Sequence, residues 1–426
     1  MTYSETIQYL YDRLPAFHQI GESAYKPGLE NTIRLMEKLN NPHHQFRTIH
    51  IAGTNGKGSV SHLLAAVLHK SGYKVGLYTS PHLVDFRERI RVNGKMIEQQ
   101  YVIDFVDQHQ NLFVDIEPSF FEVTMAMAFD YFASCQVDVA VIEVGLGGRL
   151  DSTNIIKPDL SVITNISFDH VNFLGDSLAK IAFEKAGIIK ADTPVVIGEA
   201  LPETRVVFIK KALQENAPIH FAEEHYFTSI VKCLNAKMQV KINDNEEFIV
   251  GLYGNYQLKN IATVRTAIEQ LKIIGYQISE DSIAHGFEEV ITLTGLRGRW
   301  ELMQQSPTVV CDTGHNEAGI KQVVEQLQFE NFNNLRIVIG MVSDKDIRAV
   351  LKLLPPKAVY YFTQANIPRA LPARDLQAKA MKFELYGNSY LSVKQSIEAA
   401  LNDAVFDDFI LIGGSNFVVG EALTCF

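Results

Sequence analysis

Apolar and polar positions along this chain fall into two rhythms. Residues 4–14 and 28–39 carry apolar side chains at helical intervals, the second stretch with Leu29, Ile33, Leu35, Met36 and Leu39. Lys26-Pro27-Gly28 marks a turn between them. A β-branched strand at Thr48–Ala52 leads through a glycine-rich turn into an apolar helix around Val60–Leu68. A second strand spans Lys74–Tyr78. The charged stretch Val84–Gly94 then reads as a loop, either solvated or a mobile flap that carries Arg87, Arg89 and Arg91 towards anionic substrates. Helices are predicted at 100–114 and 119–134. The apolar run Val137–Val144 follows as a strand buried on both faces. Strand Leu160–Thr164, helix Leu178–Ile189, strand Pro194–Gly198 and a helix near 203–215 continue the alternation.

Residues 219–253 change rhythm. Met238–Ile242 and Phe248–Leu252 flank Asn243-Asp244-Asn245-Glu246 as a hairpin flanks its turn, which predicts a small antiparallel sheet. Helix Ile261–Leu271 follows. Thr292–Arg299 is short, polar and glycine-containing, and reads as the domain boundary. Beyond it the pattern restarts, with strands at Val309–Cys311, Arg336–Met341, Ala358–Thr363 and Phe409–Ile412. Helices are predicted near 317–328, 346–354, 373–382 and 392–405. The fold class expected is α/β: a parallel-sheet domain over 1–296 with a small antiparallel sheet, and a smaller Rossmann-like α/β domain over 297–426.

Composition adds exclusions. The net charge of −10 over 426 residues argues against a broad nucleic-acid or membrane-surface footprint. The four cysteines are scattered and lack metal-site spacing, as in a reduced cytosolic protein. Neither a signal peptide nor a bilayer-spanning apolar run is evident, so a cytoplasmic location is expected.

Candidate chemistry concentrates at strand ends. Gly53-Thr54-Asn55-Gly56-Lys57-Gly58-Ser59 lies between strand and helix, where glycines let backbone N–H groups face an anion and the helix N-terminus adds partial positive charge. Lys57 reaches the β- and γ-phosphates, and Ser59 or Ser61 lies near the metal. The strict G-x-x-x-x-G-K-[ST] spacing fails at Ile51, and Gly58 intervenes between Lys57 and Ser59. Glu143, closing a buried strand downstream, stands where metal ligands stand. His170 reads as a metal ligand or a surface histidine. Lys185 alone reads as half of a salt bridge. Asp312-Thr313-Gly314-His315-Asn316 follows the first strand of the second domain, where open α/β sheets bind ligands.

Taken together, these motifs resemble the folylpolyglutamate synthase and dihydrofolate synthase family within the Mur ligase group. They are Gly53–Ser59, Thr79-Ser-Pro-His-Leu83, Phe86-Arg-Glu-Arg-Ile90, Phe120-Phe-Glu122, Glu143 to Asp151, Asn165 to His170, Glu184 to Ile188, Gly298-Arg299 and Asp312 to Asn316. The resemblance implies that Thr54, Asn55, Gly56, Lys57, Gly58 and Ser59 hold ATP phosphates, with Asn260, Arg299 and Asp312 as further nucleotide contacts. It implies Ser80 and Glu143 on one Mg²⁺ and His170 on a second. Lys57, His170 and Lys185 are its catalytic positions, with Lys185 matching a lysine that becomes carbamylated. Ser119, Phe120, Phe121, Glu122, Leu150, Asp151 and Ser152 match the pterin-side pocket, and His315 the glutamate side. A monovalent cation is a further element the resemblance admits. Departures are Thr-Gly at 313–314 for Gly-Ala, Arg297 for Pro, and Tyr256 for His.

The implied activity is ATP-dependent addition of L-glutamate to dihydropteroate, reduced folates or both, by a monomer with small-molecule partners. A carboxylate does not acylate an amine at neutral pH, so γ-phosphoryl transfer to make an acyl phosphate is the chemical necessity behind Lys57 and two metals. A peptidoglycan-precursor ligase is the alternative within the wider group. A GTPase switch would need an Asn-Lys-x-Asp motif that the chain lacks. A non-enzymatic ATP-binding module would leave the metal positions incidental.

Overall fold

The computed structural model describes residues 1–15, 28–234, 236–243 and 246–426. Lys26-Pro27 and the centre of the expected hairpin turn, Asp244-Asn245, lie outside these. The described residues form two compact units. One runs to Leu296 without Leu252–Tyr256, and the other joins Leu252–Tyr256 to Arg297–Phe426.

The first unit is built on an eight-stranded sheet: β1 (Arg47–Ala52), β2 (Val75–Tyr78), β3 (Ile90–Val92), β4 (Lys95–Met96), β5 (Val139–Glu143), β6 (Leu160–Ile163), β7 (Val195–Ile197) and β8 (Ile219–Phe221). Their order is β4-β3-β2-β5-β1-β6-β7-β8. β1 lies parallel between β5 and β6. All five residues of β5 are buried, which is why it reads as a continuous apolar run rather than an alternating one. Helix Lys57–Lys70 is enclosed along nearly its whole length, so its apolar content shows no single face. Helices Gln99–Ile116 and Phe120–Ser134 cover one side of the sheet, and Leu178–Ala186 with Pro202–Gln214 contribute to a separate core cluster.

The loop reading of 84–94 is overturned. Phe86–Arg89 is a 3₁₀ turn capped reciprocally by Asp85 and Glu88. β3 then pairs antiparallel with β2 and with β4. Asn93 and Gly94, both at positive φ, make the two-residue turn that an Asn-Gly pair favours. Charge hid the strand: Arg89 and Arg91 are 4% and 8% exposed.

β9 (Thr228–Leu234), β10 (Lys237–Ile242) and β11 (Glu246–Val250) form the antiparallel sheet, with one strand more than the hairpin pattern predicts. Helices Glu280–Glu288 and Val290–Thr294 were also missed, and the second occupies part of the expected linker.

The second unit holds β12 (Glu301–Gln305), β13 (Thr308–Cys311), β14 (Leu335–Ile339), β15 (Val359–Phe362), β16 (Gly387–Ser389) and β17 (Phe409–Gly413) in the order β12-β13-β17-β14-β15-β16. All neighbours are parallel except the β12–β13 edge pair. Among the described residues no helix is long and apolar enough to cross a membrane.

Candidate active site

Residues 53–56 connect β1 to helix Lys57–Lys70. Gly53 sits at φ +145°, and a Cβ there would fall 1.9 Å from the Thr164 hydroxyl oxygen. Gly56 sits at φ +84° as the helix N-cap, and its Cβ would meet Asn260 Oδ1 at 2.3 Å. Both positions therefore require glycine. The Thr54 N–H donates to the Asn165 carbonyl at 2.9 Å, and the Asn55 N–H to Asn165 Oδ1 at 3.1 Å. The Asn55 carbonyl accepts from Thr164 Oγ1 at 2.6 Å and Asn165 Nδ2 at 3.0 Å. Neighbouring β6 thus fixes the loop's first half. The N–H groups of the helix's first turn have no intrahelical acceptor by geometry, and no side chain caps them. These groups, from Lys57 through Ser59, are the ones suited to an anion.

Two amines converge on one carbonyl. Lys57 Nζ donates to the Gly53 and Thr54 carbonyls at 3.1 Å each. Lys185 Nζ, from helix Leu178–Ala186, donates to the same Gly53 carbonyl at 2.9 Å. Lys185 is 5% exposed, and no carboxylate among the described residues pairs with it, so the salt-bridge reading fails. Burial first, and the Lys57 charge second, push its pKa down to about 7.

Glu143 ends β5 at 3% exposure, and its Oε2 accepts the Ser80 N–H at 3.2 Å, so two residues 63 positions apart meet at adjacent strand ends. His170 takes a left-handed conformation (φ 50°) beside Asp169. No group of three or more His, Cys, Asp or Glu side chains at metal-binding distance occurs among the described residues. This donor set still fits Mg²⁺, which takes one or two carboxylates plus phosphate oxygens and water rather than an all-protein cage.

Ser119 caps helix Phe120–Ser134 in a reciprocal box with Glu122. Glu122 Oε1 also accepts from Thr32 Oγ1 at 3.1 Å. The Ser119 hydroxyl and the Glu122 carboxylate are thus engaged in holding the helix, while Phe120 is 3% exposed within the core and Phe121 packs half-buried against it. Phe121 lies against Gly145, where a Cβ would meet its ring at 2.5 Å. Asp151 is fully enclosed. It accepts from the Leu146 and Thr153 N–H groups and the Thr153 hydroxyl, and burial raises its pKa despite them. Leu150 and Ser152 flank it, half-buried.

In the second unit Asp312 accepts from Tyr256 Oη at 2.6 Å, the Trp300 N–H at 2.8 Å and the Gly314 N–H at 2.7 Å. Arg299 donates to Thr313 Oγ1 and to the Gly298 carbonyl. His315 Nδ1 lies 2.9 Å from the Thr313 carbonyl. In the first unit, Asn260 Nδ2 donates to Gln257 Oε1 at 2.8 Å. Sequence reasoning missed the brace of Thr164 and Asn165 on the Gly53–Gly56 loop, and the burial of Arg89. No local pattern signals either.

Residues 51–268 match the Mur ligase middle domain, and residues 298–416 the Mur ligase glutamate ligase domain. The dihydrofolate synthase/folylpolyglutamate synthase of Bacillus subtilis is 34% identical over 415 residues, spanning 93% of this chain and 94% of that protein. A probable bifunctional folylpolyglutamate synthase/dihydropteroate synthase of Haloferax volcanii is 33% identical over 443 residues. The match takes in 100% of this chain and only 50% of that longer protein. A solved structure of Escherichia coli FolC in complex with DHPP and ADP has a TM-score of 0.86 at 29% identity, covering 100% of this chain and 97% of that one.

Proposed function

The chain belongs to the folylpolyglutamate synthase and dihydrofolate synthase family of Mur ligases, and from that premise we propose that it joins L-glutamate to dihydropteroate, a reduced folate or both at the expense of ATP. The observation that carries this is the meeting of Lys57 and Lys185 on the Gly53 carbonyl, with the Ser80–Glu143 pair at a neighbouring strand end. The reaction must bring an anionic carboxylate against a triphosphate, and these groups are the means of neutralising it.

In this reading the N–H groups of residues 56–59 cradle the phosphates, and Lys57 swings from its carbonyl acceptors onto the β- and γ-phosphates. Asn260, Arg299 and Asp312 contact the nucleotide. Thr54 and Asn55 shape the loop, their N–H groups being committed to Asn165. Ser80 and Glu143 hold Mg²⁺, which supplies charge neutralisation during phosphoryl transfer. His170 and Lys185 serve a second divalent site. An ammonium offers no lone pair to a metal, and an amine whose pKa is about 7 is substantially neutral at physiological pH. Neutral Lys185 attacks CO₂, forming an N–C bond and releasing one proton, to give a carbamate with two acceptor oxygens. Ser119–Glu122, Leu150–Ser152 and His315 are assigned to acceptor and glutamate. Residues 1–296 are assigned as the ATP-binding domain, 297–426 as the C-terminal ligase domain, and the enzyme as a cytoplasmic monomer.

The test supplies ATP, Mg²⁺ and L-glutamate with dihydropteroate or tetrahydrofolate and weighs the products. One added glutamyl unit with ADP and phosphate is expected. Release of AMP and pyrophosphate, or no glutamyl product with either acceptor, overturns the reading.

A further inference from the structure

His50 is a polar side chain inside a buried strand. It stands in β1 between Ile49 and Ile51, ahead of Gly53, and His50 and both isoleucines are 0% exposed. Its Nδ1 makes no hydrogen bond, and its Nε2 lies 2.8 Å from Thr153 Oγ1. Burial first, and the Lys190 charge second, hold its pKa down to about 3, so the ring is neutral and carries one proton. A buried imidazole with one bare nitrogen is a costly occupant of a strand core. The single bond it makes is what sets it apart from an apolar side chain there.

The direction of that bond follows from its neighbours. Asp151 takes N–H donors on both oxygens, Thr153 on Oδ1 at 3.0 Å and Leu146 on Oδ2 at 2.8 Å, as a carboxylate does. The Thr153 hydroxyl gives its proton to Oδ1 at 2.5 Å. Its oxygen then has only lone pairs to offer, so the proton between ring and hydroxyl sits on His50 Nε2. Ring, hydroxyl and carboxylate form a one-way line of donors and acceptors from β1 to Asp151.

The line ends at a turn seated on the helix of Lys185. The Asp151 N–H donates to the Gly148 carbonyl at 3.1 Å, and the Arg149 N–H to the Glu184 carbonyl at 2.7 Å. A Cβ on Gly148 would fall 2.9 Å from the Glu184 carbonyl oxygen and 3.0 Å from that of Lys185, so the turn rests directly on the helix backbone. Asn154 fastens the other side, its Nδ2 donating to the Arg149 and Gly187 carbonyls at 3.1 Å each. Lys185 Nζ in turn reaches the Gly53 carbonyl at 2.9 Å, just beyond the end of β1. The contacts close a circuit from β1 through Thr153, Asp151, the turn and the Lys185 helix back to Gly53.

We infer that His50 is a positioning residue for the ligation reaction, acting through Thr153, Asp151 and the turn they hold to keep the Lys185 amine at the Gly53 carbonyl. This rests on the ligase reading above and adds to it a residue sealed from solvent, and so from substrate. The ring serves as a fixed donor and neither gives nor takes a proton during turnover.

The test uses the full chain with ATP, Mg²⁺, L-glutamate and either dihydropteroate or tetrahydrofolate, whichever the wild-type chain extends. His50→Leu removes the donor, His50→Gln offers an amide N–H in place of Nε2–H, and Thr153→Val keeps the shape while breaking the line. Thermal melting confirms folding. His50→Leu and Thr153→Val should each lower kcat about 5- to 20-fold with the KM for ATP within about twofold, and His50→Gln should recover most of the loss. In Lys185→Met, adding His50→Leu should cost under about twofold more, because the amine it positions is gone. The ¹⁵N signals of the His50 ring should report the Nε2–H tautomer, unchanged from about pH 5.5 to 8.

Losses at His50 and Lys185 that multiply overturn the inference, because a residue needed only for packing weakens the enzyme whatever stands at position 185. An Nδ1–H tautomer, or an unchanged kcat in folded His50→Leu, overturns it equally. If His50→Leu does not fold, Thr153→Val and the tautomer carry the same comparison. Each of these failures leaves the ligase reading standing when the wild-type chain forms glutamyl product. A wild-type chain that forms none removes both.

Discussion

The phosphate loop and the aromatic pocket around Arg89 both withdraw cationic side chains from water, and they resolve the cost differently. At the loop the groups are amines. Lys185 sheds its proton near neutrality, so burial turns it from a charge into a nucleophile. In the pocket the group is a guanidinium. Burial pulls its pKa down, but from so high a starting value that it stays charged. A buried guanidinium keeps its charge and leans on the acceptors packed around it, the His82 ring nitrogen for Arg89 and the Gly94 carbonyl for Arg91. The two regions teach that the choice of lysine or arginine sets what burial does: one is brought towards its neutral form, the other stays a charge that its neighbours must hold.

The largest effect expected is at Lys57. Lys57→Ala should lower ligation about 10²- to 10³-fold with the fold retained, because it removes a preorganised charge from the transferring phosphoryl group. Near-normal phosphate release with both substrates present would sink the assignment and with it the contrast between the regions. Next comes Lys185. Lys185→Met should cost about 10- to 100-fold, as loss of a supporting metal ligand does, and millimolar acetate should restore part of it by supplying the missing carboxylate. No rescue, together with no ¹³C-bicarbonate signal at the lysine, rejects the carbamate.

The pH dependence follows from the same group. The Lys185 amine is protonated up to about 10.5 in the unfolded chain and only up to about 7 in the folded one. Between these values the unfolded chain binds the extra proton, so stability rises with pH across the window and is lost as pH falls towards 7. Carbamate yield at fixed dissolved CO₂ should rise over the same direction, steepest near pH 7. Lys185→Met should flatten both trends. A wild-type yield independent of pH from about 6 to 8 would mean that the amine is not neutralised by its surroundings.

What could be read beforehand divides along physical lines. Buried parallel strands announce themselves by apolar runs, so β1, β5, β6, β13, β14, β15 and β17 were legible, while the edge strands β12 and β16 were not. Glu143 was conspicuous because a carboxylate ending such a run is costly without a partner. β3 was illegible because it is three residues long and set among charges, and because the positions its alternation marks as polar, Arg91 and the preceding Arg89, are buried too. Their surroundings come from other segments, with Phe120 against the Arg89 guanidinium and Gly295 against that of Arg91. Likewise Lys185 reads as an ordinary helix-surface lysine until Gly53, 132 positions earlier, is placed against it. Contacts between distant segments decide these environments, and no window of sequence contains them.

The smallest effect expected concerns a third way of burying charge. Asp312 is an anion at 5% exposure, stabilised by three neutral donors, the Tyr256 hydroxyl and the Trp300 and Gly314 N–H groups. Burial first, and the charge and hydrogen bond of Asp312 second, raise the Tyr256 pKa well above the ordinary phenol value. It therefore stays a neutral donor throughout the working range. Tyr256→Phe removes one donor of three, so the KM for ATP should rise about 3- to 10-fold with kcat little changed. Tyr256→His should recover part of the loss if the imidazole N–H reaches the carboxylate. The modest size is itself the point: a charge shared among several backbone donors tolerates the loss of one, whereas Lys57 has no understudy. A loss in Tyr256→Phe as large as in Lys57→Ala would show that the phenol acts on the nucleotide directly rather than through Asp312.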